Sequence, residues 1–315
     1  MARPLFVSLP NPELRSALGD PPEGVAFLEW DLSVPAPRDV IDLVVVPYMG
    51  SLQGLARLAN VSTRLVQGQS MGYDGVADLL PPGHLFANAA GVHDAATAEL
   101  AVALILASQR GLPDFVLAAS RREWTPEFRP SLADRTVLLV GYGGVGHAIE
   151  ARLLAFETTV VRVASRERTD ARGRIYGIDS LHDLLPAADV VVVAVPLSPA
   201  TTHLINETFL ARLSDGSLLV NVARGRVADT EALVAAARSG RIRLALDVTD
   251  PEPLPADHPL WALPDVLISP HVGGATSAML PRMAKLVHEQ ISRMRNDEVP
   301  LHVVLPSRGP DPSVA

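Results

Sequence analysis

Short apolar runs separated by polar, turn-forming clusters recur along the chain, and their lengths predict a parallel α/β protein. In the first part they fall at positions 5–9, 25–28, 43–46, 65–66 and 85–87. Joined by potential helices, they predict a unit of about five strands. A second series, rich in β-branched residues, falls at 137–140, 160–164, 190–195, 218–222, 244–248 and 266–268. Such runs read as strands of a parallel sheet covered by helices on both faces. Six of them predict a doubly wound sheet.

Polar residues mark the helix starts. Ser180 stands three residues before Asp183, Asn206 precedes segment 207–213, and Asp229 or Thr230 precedes 231–238, with Gly240 as a stop. Asp94 can cap a helix over 95–109 that is mostly apolar, which must be buried against another domain or a second subunit. A further helix over 278–294 is expected to cross back to the first domain, followed by Val303 and a proline-rich tail that frays.

At 315 residues the chain exceeds the size at which one hydrophobic core stops growing, so two domains are expected. The expected division puts residues 1–94 and 280–315 in one domain and 95–279 in the other. With 48% hydrophobic and 20% charged residues, the composition is that of a globular protein. A net charge of -8 supplies no basic field for nucleic acid or an anionic membrane. Cysteine is absent, which excludes disulfides and thiolate chemistry and fits a cytoplasmic protein. No histidine-carboxylate cluster has metal-ligand spacing. The longest apolar stretches, 100–107 and 190–197, fall short of the ~20 residues that span a bilayer, and run 5–9 is too short for a signal peptide. Lys285 is the only lysine among 27 basic residues, so an arginine at any one position is weaker evidence of function than usual.

Chemistry enters where strand 137–140 runs into Gly141-Tyr142-Gly143-Gly144-Val145-Gly146 and a helical pattern over 147–156. Glycines there permit a tight turn and close backbone approach to a pyrophosphate, and the helix N-terminus presents N–H groups to the anion. An acid that would hold an NAD ribose is expected at the end of the next strand. That segment reads Ser165-Arg166-Glu167-Arg168 instead. A hydroxyl and guanidiniums there favour a ribose 2′-phosphate, hence NADP(H), with Arg166 as the main contact and Arg168 turned toward solvent. If the arginines form only a solvated turn, NAD(H) is the alternative.

Arg224, Asp247 and His271 fall at or just after the ends of strands 218–222, 244–248 and 266–268. Ligands of open α/β sheets bind outside the carboxyl ends of the strands, so these side chains can share a crevice with the glycine loop. Reduction of a 2-oxoacid needs a cation for the carboxylate and a proton for the emerging alkoxide. An arginine fork suits the first task, and a histidine beside a carboxylate suits the second.

The segments Asn221-Val222-Ala223-Arg224-Gly225, Asp247-Val248-Thr249-Asp250-Pro251-Glu252-Pro253 and Ser269-Pro270-His271-Val272-Gly273-Gly274, with Gly91-Val92-His93-Asp94 and Ala98-Glu99, closely resemble the D-isomer-specific 2-hydroxyacid dehydrogenases. The resemblance runs from about Gly91 to Gly274 and implies a Rossmann cofactor domain inserted into a smaller flavodoxin-like substrate domain. It implies Arg224 as the substrate-binding arginine, His271 as the acid-base and Glu252 as its partner. It also assigns Gly141 through Gly146, Ser165, Arg166, Val195, Pro196, Thr201, Val222, Ala223, Asp247, His271 and Gly273 to the cofactor, and the amides of Met71 and Gly72 to the substrate carboxylate. His93 and Glu99 match the family too, and are read as a helix-start residue and a packed interface residue. Glyoxylate, hydroxypyruvate and similar 2-oxoacids are the expected substrates, and a homodimer is the expected assembly. Two alternatives stay open: a phosphoglycerate-type specificity, and a nucleotide-sensing role like that of the C-terminal-binding-protein corepressors, which resemble the same family.

Overall fold

The computed structural model describes residues 3–307. The chain forms two compact units, one made of the residues up to His93 and from Thr276 onward, the other of Asp94–Ala275. The breaks lie one and four residues before the expected ones, because the first helix of the second unit already starts at Asp94.

The N-terminal part of the first unit runs β1 (Leu5–Leu9), α1 (Pro12–Leu18), β2 (Val25–Glu29), β3 (Leu43–Val45), β4 (Leu65–Gln67), α2 (Val76–Leu79) and β5 (Phe86–Ala87). The central strands β3, β4 and β5 coincide with apolar runs because they are buried on both faces, whereas β2 at the edge is only partly buried. Val7, Leu43 and Leu65 belong to one core, and Val44, Val66 and Phe86 to the other. Asn11 opens α1 by accepting a hydrogen bond from Leu14 N at 2.9 Å, one of the orphan donors of a helix start.

The second unit opens with α3 (Asp94–Arg110), which Gly111 in a left-handed conformation (φ 64°) separates from α4 (Leu112–Ser120). The apolar faces of α3 are covered by its own unit, against α5 (Gly144–Leu153) and strands β11 (Leu218–Asn221) and β12 (Arg243–Leu246). Most of the burial expected to come from another domain or a second subunit thus comes from within its own unit. It is α4 that stays exposed, with Val116 at 70% and Leu117 at 57%.

Between these elements run β6 (Thr136–Val140), β7 (Thr159–Ala164), the hairpin β8 (Arg168–Asp170) and β9 (Gly173–Gly177), α6 (Leu181–Leu184), β10 (Val190–Val193) and α7 (Glu207–Ala211), and then α8 (Thr230–Arg238) and β13 (Val266–Ile268). Their sheet has the order β13-β12-β11-β10-β6-β7-β9-β8, parallel except for β8. It is the Rossmann order, with β9 as the third strand of the first half and a switch point between β6 and β10. Asn206 and Asp229 cap α7 and α8 as expected. Ser180 makes no such cap. It ends a 3₁₀ turn (Ile178–Ser180) and has helical angles (φ -82°, ψ -6°), so its hydroxyl is not presented to the following N–H groups.

The chain returns to the first unit as α9 (Met279–Arg295), whose Met283, Val287 and Ile291 pack on the core of that sheet, and ends in β14 (Val303–Leu305). β14 pairs antiparallel with β5, giving the order β14-β5-β4-β3-β1-β2. The parallel part has the flavodoxin-like order 2-1-3-4-5. The tail expected to fray lies mostly outside the described residues.

Candidate functional site

The glycine-rich turn sits at the switch point of the Rossmann sheet. Gly141 has φ 104°, and a Cβ on it would come within 2.5 Å of Ala194 O, so the turn packs directly on the chain leaving β10. A Cβ on Gly146 would meet Gly141 O at 2.3 Å, which fixes the close start of α5, while a Cβ on Gly143 would meet nothing within 4 Å. The space over Gly143 is therefore open at the N-terminus of a helix, as a pyrophosphate cradle requires. Val145 is buried under this turn.

Tyr142 points the other way. It is buried, its hydroxyl donates to the Glu150 carboxylate, and the guanidinium of Arg162 on β7 lies 3.2 Å from that hydroxyl. Burial first, and then the bond to Glu150, push the Tyr142 phenol above its ordinary pKa, so it remains a donor. Behind the turn, Arg162 also bonds Asp170 at 3.0 Å, and Arg172 bonds Glu150 at 2.6 Å. None of these partners was foreseen from the sequence.

Ser165 and Arg166 lie exposed in the bend after β7. Arg168 is exposed as well, as the sequence suggested, but its side chain is tied back: Nη2 donates to Tyr142 O at 3.0 Å and Cζ lies 6.0 Å from the centre of the Tyr142 ring. The reason is the β8–β9 hairpin, which directs Arg168 back along the glycine turn.

Three further loops leave the carboxyl ends of β11, β12 and β13. After β11, Asn221 ties its own loop by accepting from Ala223 N at 3.0 Å and donating to Arg224 O at 3.1 Å. Arg224 donates to Ala223 O at 2.7 Å, while Val222 and Ala223 are buried. Gly225 lets this loop press on the next one, since a Cβ there would fall 1.8 Å from Thr249 O.

Asp247, 3% exposed, organises the loop that carries the histidine. Its carboxylate accepts from Ser269 Oγ (2.6 Å), Val272 N (2.9 Å) and Gly273 N (3.0 Å), and its carbonyl accepts from His271 N at 2.7 Å. These bonds hold His271 at φ 52°, a left-handed conformation uncommon outside glycine and asparagine. There the imidazole meets its carboxylate, with Nδ1 2.5 Å from Glu252 Oε1. Both side chains are partly exposed.

Val195 lies beside Gly141, following Ala194. Thr201 Oγ1 donates to Pro196 O at 2.7 Å and accepts from Ser198 N at 2.8 Å, closing the loop that carries Pro196. Sequence reasoning missed two side chains on α3. Asp94 lies against Gly144, whose added Cβ would come within 2.1 Å of its carboxylate, and Thr97 lies 3.4 Å from the Cβ position of Gly273. Their spacing of three places them one helical turn apart, so the start of α3 abuts both the glycine turn and the histidine loop.

Met71 and Gly72 belong to the other unit, in the loop after β4. Asn88 Nδ2 donates to Met71 O at 2.7 Å, and His93 bridges to Gln69 O at 2.6 Å while stacking on Tyr48. His93 thus braces the Met71 loop and does more than start a helix. Among the described residues, no group of three acidic or histidine side chains could hold a metal ion, and no single helix is long and apolar enough to cross a membrane.

Comparison with known proteins agrees with this arrangement. Residues 102–273 match the model of the D-isomer specific 2-hydroxyacid dehydrogenase, NAD binding domain. A glyoxylate reductase from Thermofilum pendens is 35% identical over 248 residues, covering 75% of this chain and 73% of that protein. A D-isomer specific 2-hydroxyacid dehydrogenase from Xanthobacter autotrophicus Py2, solved in complex with NADPH and MES, superposes with a TM-score of 0.82 at 27% identity, over 97% of this chain and 99% of that one. An NADPH-dependent glyoxylate/hydroxypyruvate reductase from Sinorhizobium meliloti, solved with NADP and malonate, gives 0.78 at 27% identity, over 98% and 100%. With a family model covering over half of its length, and with such relatives, this chain belongs to the D-isomer specific 2-hydroxyacid dehydrogenase family.

Proposed function

We propose that the protein reduces small 2-oxoacids, glyoxylate and hydroxypyruvate foremost, to D-2-hydroxyacids, with NADPH preferred to NADH. The observation that carries this reading is the His271–Glu252 pair, held at 2.5 Å beside the Arg224 loop in the same unit as the glycine turn. The names of the relatives support the substrate class.

A reduced nicotinamide, when bound, supplies the hydride to C2. Arg224 holds the substrate carboxylate through its planar fork. A carboxylate only accepts, so the Nδ1–H of His271 faces Glu252 and the transferable proton sits on Nε2 of the imidazolium. That proton goes to the developing alkoxide, leaving a hydroxyl and a neutral imidazole that solvent reprotonates. Glu252 orients the ring through Nδ1. The second unit binds the dinucleotide, with Gly141–Gly146 on the pyrophosphate. The Val222 and Ala223 carbonyls, with Asp247, hold the carboxamide.

The test is cofactor oxidation with a panel of 2-oxoacids, phosphorylated ones included, with NADPH and NADH in parallel. Turnover of glyoxylate or hydroxypyruvate with NADPH is expected. A protein that binds NADPH but turns over none of the panel overturns the enzymatic reading in favour of nucleotide sensing.

For coenzyme choice, Ser165, Arg166 and Arg168 are the residues proposed to meet the 2′-phosphate. A hydrogen bond to a charged group contributes ~1.5–3 kcal/mol, roughly 10- to 100-fold before solvent screening. Arg166→Ala and Arg168→Ala are each expected to raise KM for NADPH selectively, by amounts within about threefold of one another. A silent Arg168→Ala would return that residue to the solvated role.

The assembly is proposed to be a homodimer built on α4 and the segment after it. Trp124 and Phe128 stand 94% and 108% exposed there, continuing the apolar side of α4. Such a patch on one chain marks an interaction surface, and twofold self-association is the commonest way to cover one. Sedimentation should give a dimer at micromolar concentration, dissociated in Trp124→Ser/Phe128→Ser. A wild-type monomer removes the proposal.

A further inference from the structure

The feature that the reaction leaves unexplained is the buried polar cluster behind the glycine turn. Arg162 lies mid-strand in β7, 3% exposed, where an apolar side chain would pack as well. Its guanidinium reaches Tyr142 Oη (3.2 Å), both oxygens of Asp170 (3.0 Å) and Arg174 O (3.3 Å), with Glu150 at 3.5 Å. A buried ion pair gains little stability over apolar packing, so its value lies in the geometry that it imposes. Here its partners come from three elements: Tyr142 from the glycine turn, Glu150 from α5, and Asp170 and Arg174 from the β8–β9 hairpin. Asp170 also accepts from Arg172 N at 2.8 Å, which closes the turn of that hairpin. This backbone bond first, and Arg162 next, hold the Asp170 carboxyl below the usual carboxylate range, so it stays an acceptor.

Two residues before Asp170, Arg168 is the first residue of the same hairpin and is bonded to the carbonyl of Tyr142. We propose that Asp170 and Arg162 are positioning residues that pin the hairpin to β7 and so aim Arg168 at the 2′-phosphate, making NADPH preference depend on side chains that never touch the coenzyme. The inference rests on the assignment of Arg168 to the 2′-phosphate. The hairpin provides a short lever: with Asp170 removed, Arg162 keeps only the carbonyl of Arg174 on the hairpin, the turn loses the acceptor that closes it, and Arg168 is released from Tyr142 O.

The test is a double-mutant cycle of Arg168→Ala and Asp170→Ala, read by calorimetric titration with NADP⁺ and NAD⁺, by kcat at saturating NADPH and by thermal melting. Asp170→Ala is expected to weaken NADP⁺ roughly tenfold, with NAD⁺ within about twofold and kcat unchanged. In the Arg168→Ala background it should add nothing, because both changes remove one interaction. Asp170→Asn keeps an acceptor for Arg172 N–H and should fall between the two. Equal weakening of both coenzymes, or losses that multiply in the double variant, overturns the positioning role. If Asp170→Ala proves too unstable to titrate, Asp170→Asn alone decides: an unchanged NADP⁺ to NAD⁺ affinity ratio refutes it. An Arg168→Ala variant with the wild-type ratio refutes the underlying assignment instead, so the two failures are distinguishable.

Discussion

Replacing His271 with alanine is expected to lower kcat by ~10²–10⁴-fold, the usual contribution of a positioned acid-base, while calorimetry shows NADPH bound nearly as before. The imidazole is held at Nδ1 by Glu252 (2.5 Å), and its loop is fixed by three bonds to the Asp247 carboxylate and one to its carbonyl, none of which depends on the ring. The backbone at φ 52° makes alanine a strained replacement, so His271→Asn serves as the control. Asparagine accepts that conformation but cannot supply a proton. Both variants should fail alike. Glu252→Gln keeps an oxygen for Nδ1–H but removes the charge, and should cost about tenfold. The wild type should also show opposed pH profiles. Reduction needs a protonated ring and falls as pH rises, whereas oxidation needs neutral imidazole and rises. Near wild-type turnover in His271→Asn, or parallel profiles in the two directions, removes His271 from the mechanism.

Much of this site was legible in the sequence because its strands end where the chemistry begins. Val190–Val193 and Leu218–Asn221 are fully buried parallel strands, and such strands announce themselves as unbroken apolar runs. The residues that follow, from Gly141 to His271, could be placed at carboxyl ends without any side-chain detail. The runs overshot where the backbone leaves the ladder, at Val46, Ala194 and Val195, Val222, and Asp247 and Val248, and began one residue early at Leu85. Asp247 illustrates the limit: nothing in Leu246-Asp247-Val248 says that its carboxylate will hold the histidine loop from 25 and 26 residues away.

The β8–β9 hairpin was not legible, for a physical reason. Arg168-Thr169-Asp170 and Gly173-Arg174-Ile175-Tyr176-Gly177 bury little apolar surface, and their pairing is held by charged side chains on β7 and α5. Period-two hydrophobicity cannot signal a strand whose anchors are ionic. The same blind spot hid the bond by which the exposed Arg168 is tied to Tyr142 O. For α3, the apolar pattern was read correctly as burial, but a pattern contains no partner. The covering surfaces proved to be α5, β11 and β12, and the exposed apolar surface came one helix later.

Replacing Arg224 with glutamine is the other change expected to cost most. An arginine fork meets a carboxylate through two charge-assisted bonds of ~1.5–3 kcal/mol each, so the loss in kcat/KM for glyoxylate should be ~3–6 kcal/mol, about 10²–10⁴-fold. The loop itself should survive, because Asn221 holds it through Ala223 N and Arg224 O, both backbone groups. Affinity for NADPH should therefore change little. Arg224→Lys retains the charge but not the fork and should lie between wild type and Arg224→Gln. The sharpest readout is discrimination between substrates. Wild type should prefer glyoxylate strongly over methylglyoxal, an uncharged 2-oxoaldehyde with a similar reacting carbonyl, whereas Arg224→Gln should treat the two nearly alike, having lost only the carboxylate contact. A variant that keeps the wild-type preference would place the carboxylate elsewhere, and one that loses NADPH affinity in proportion to kcat/KM would make Arg224 a structural residue of the cofactor site.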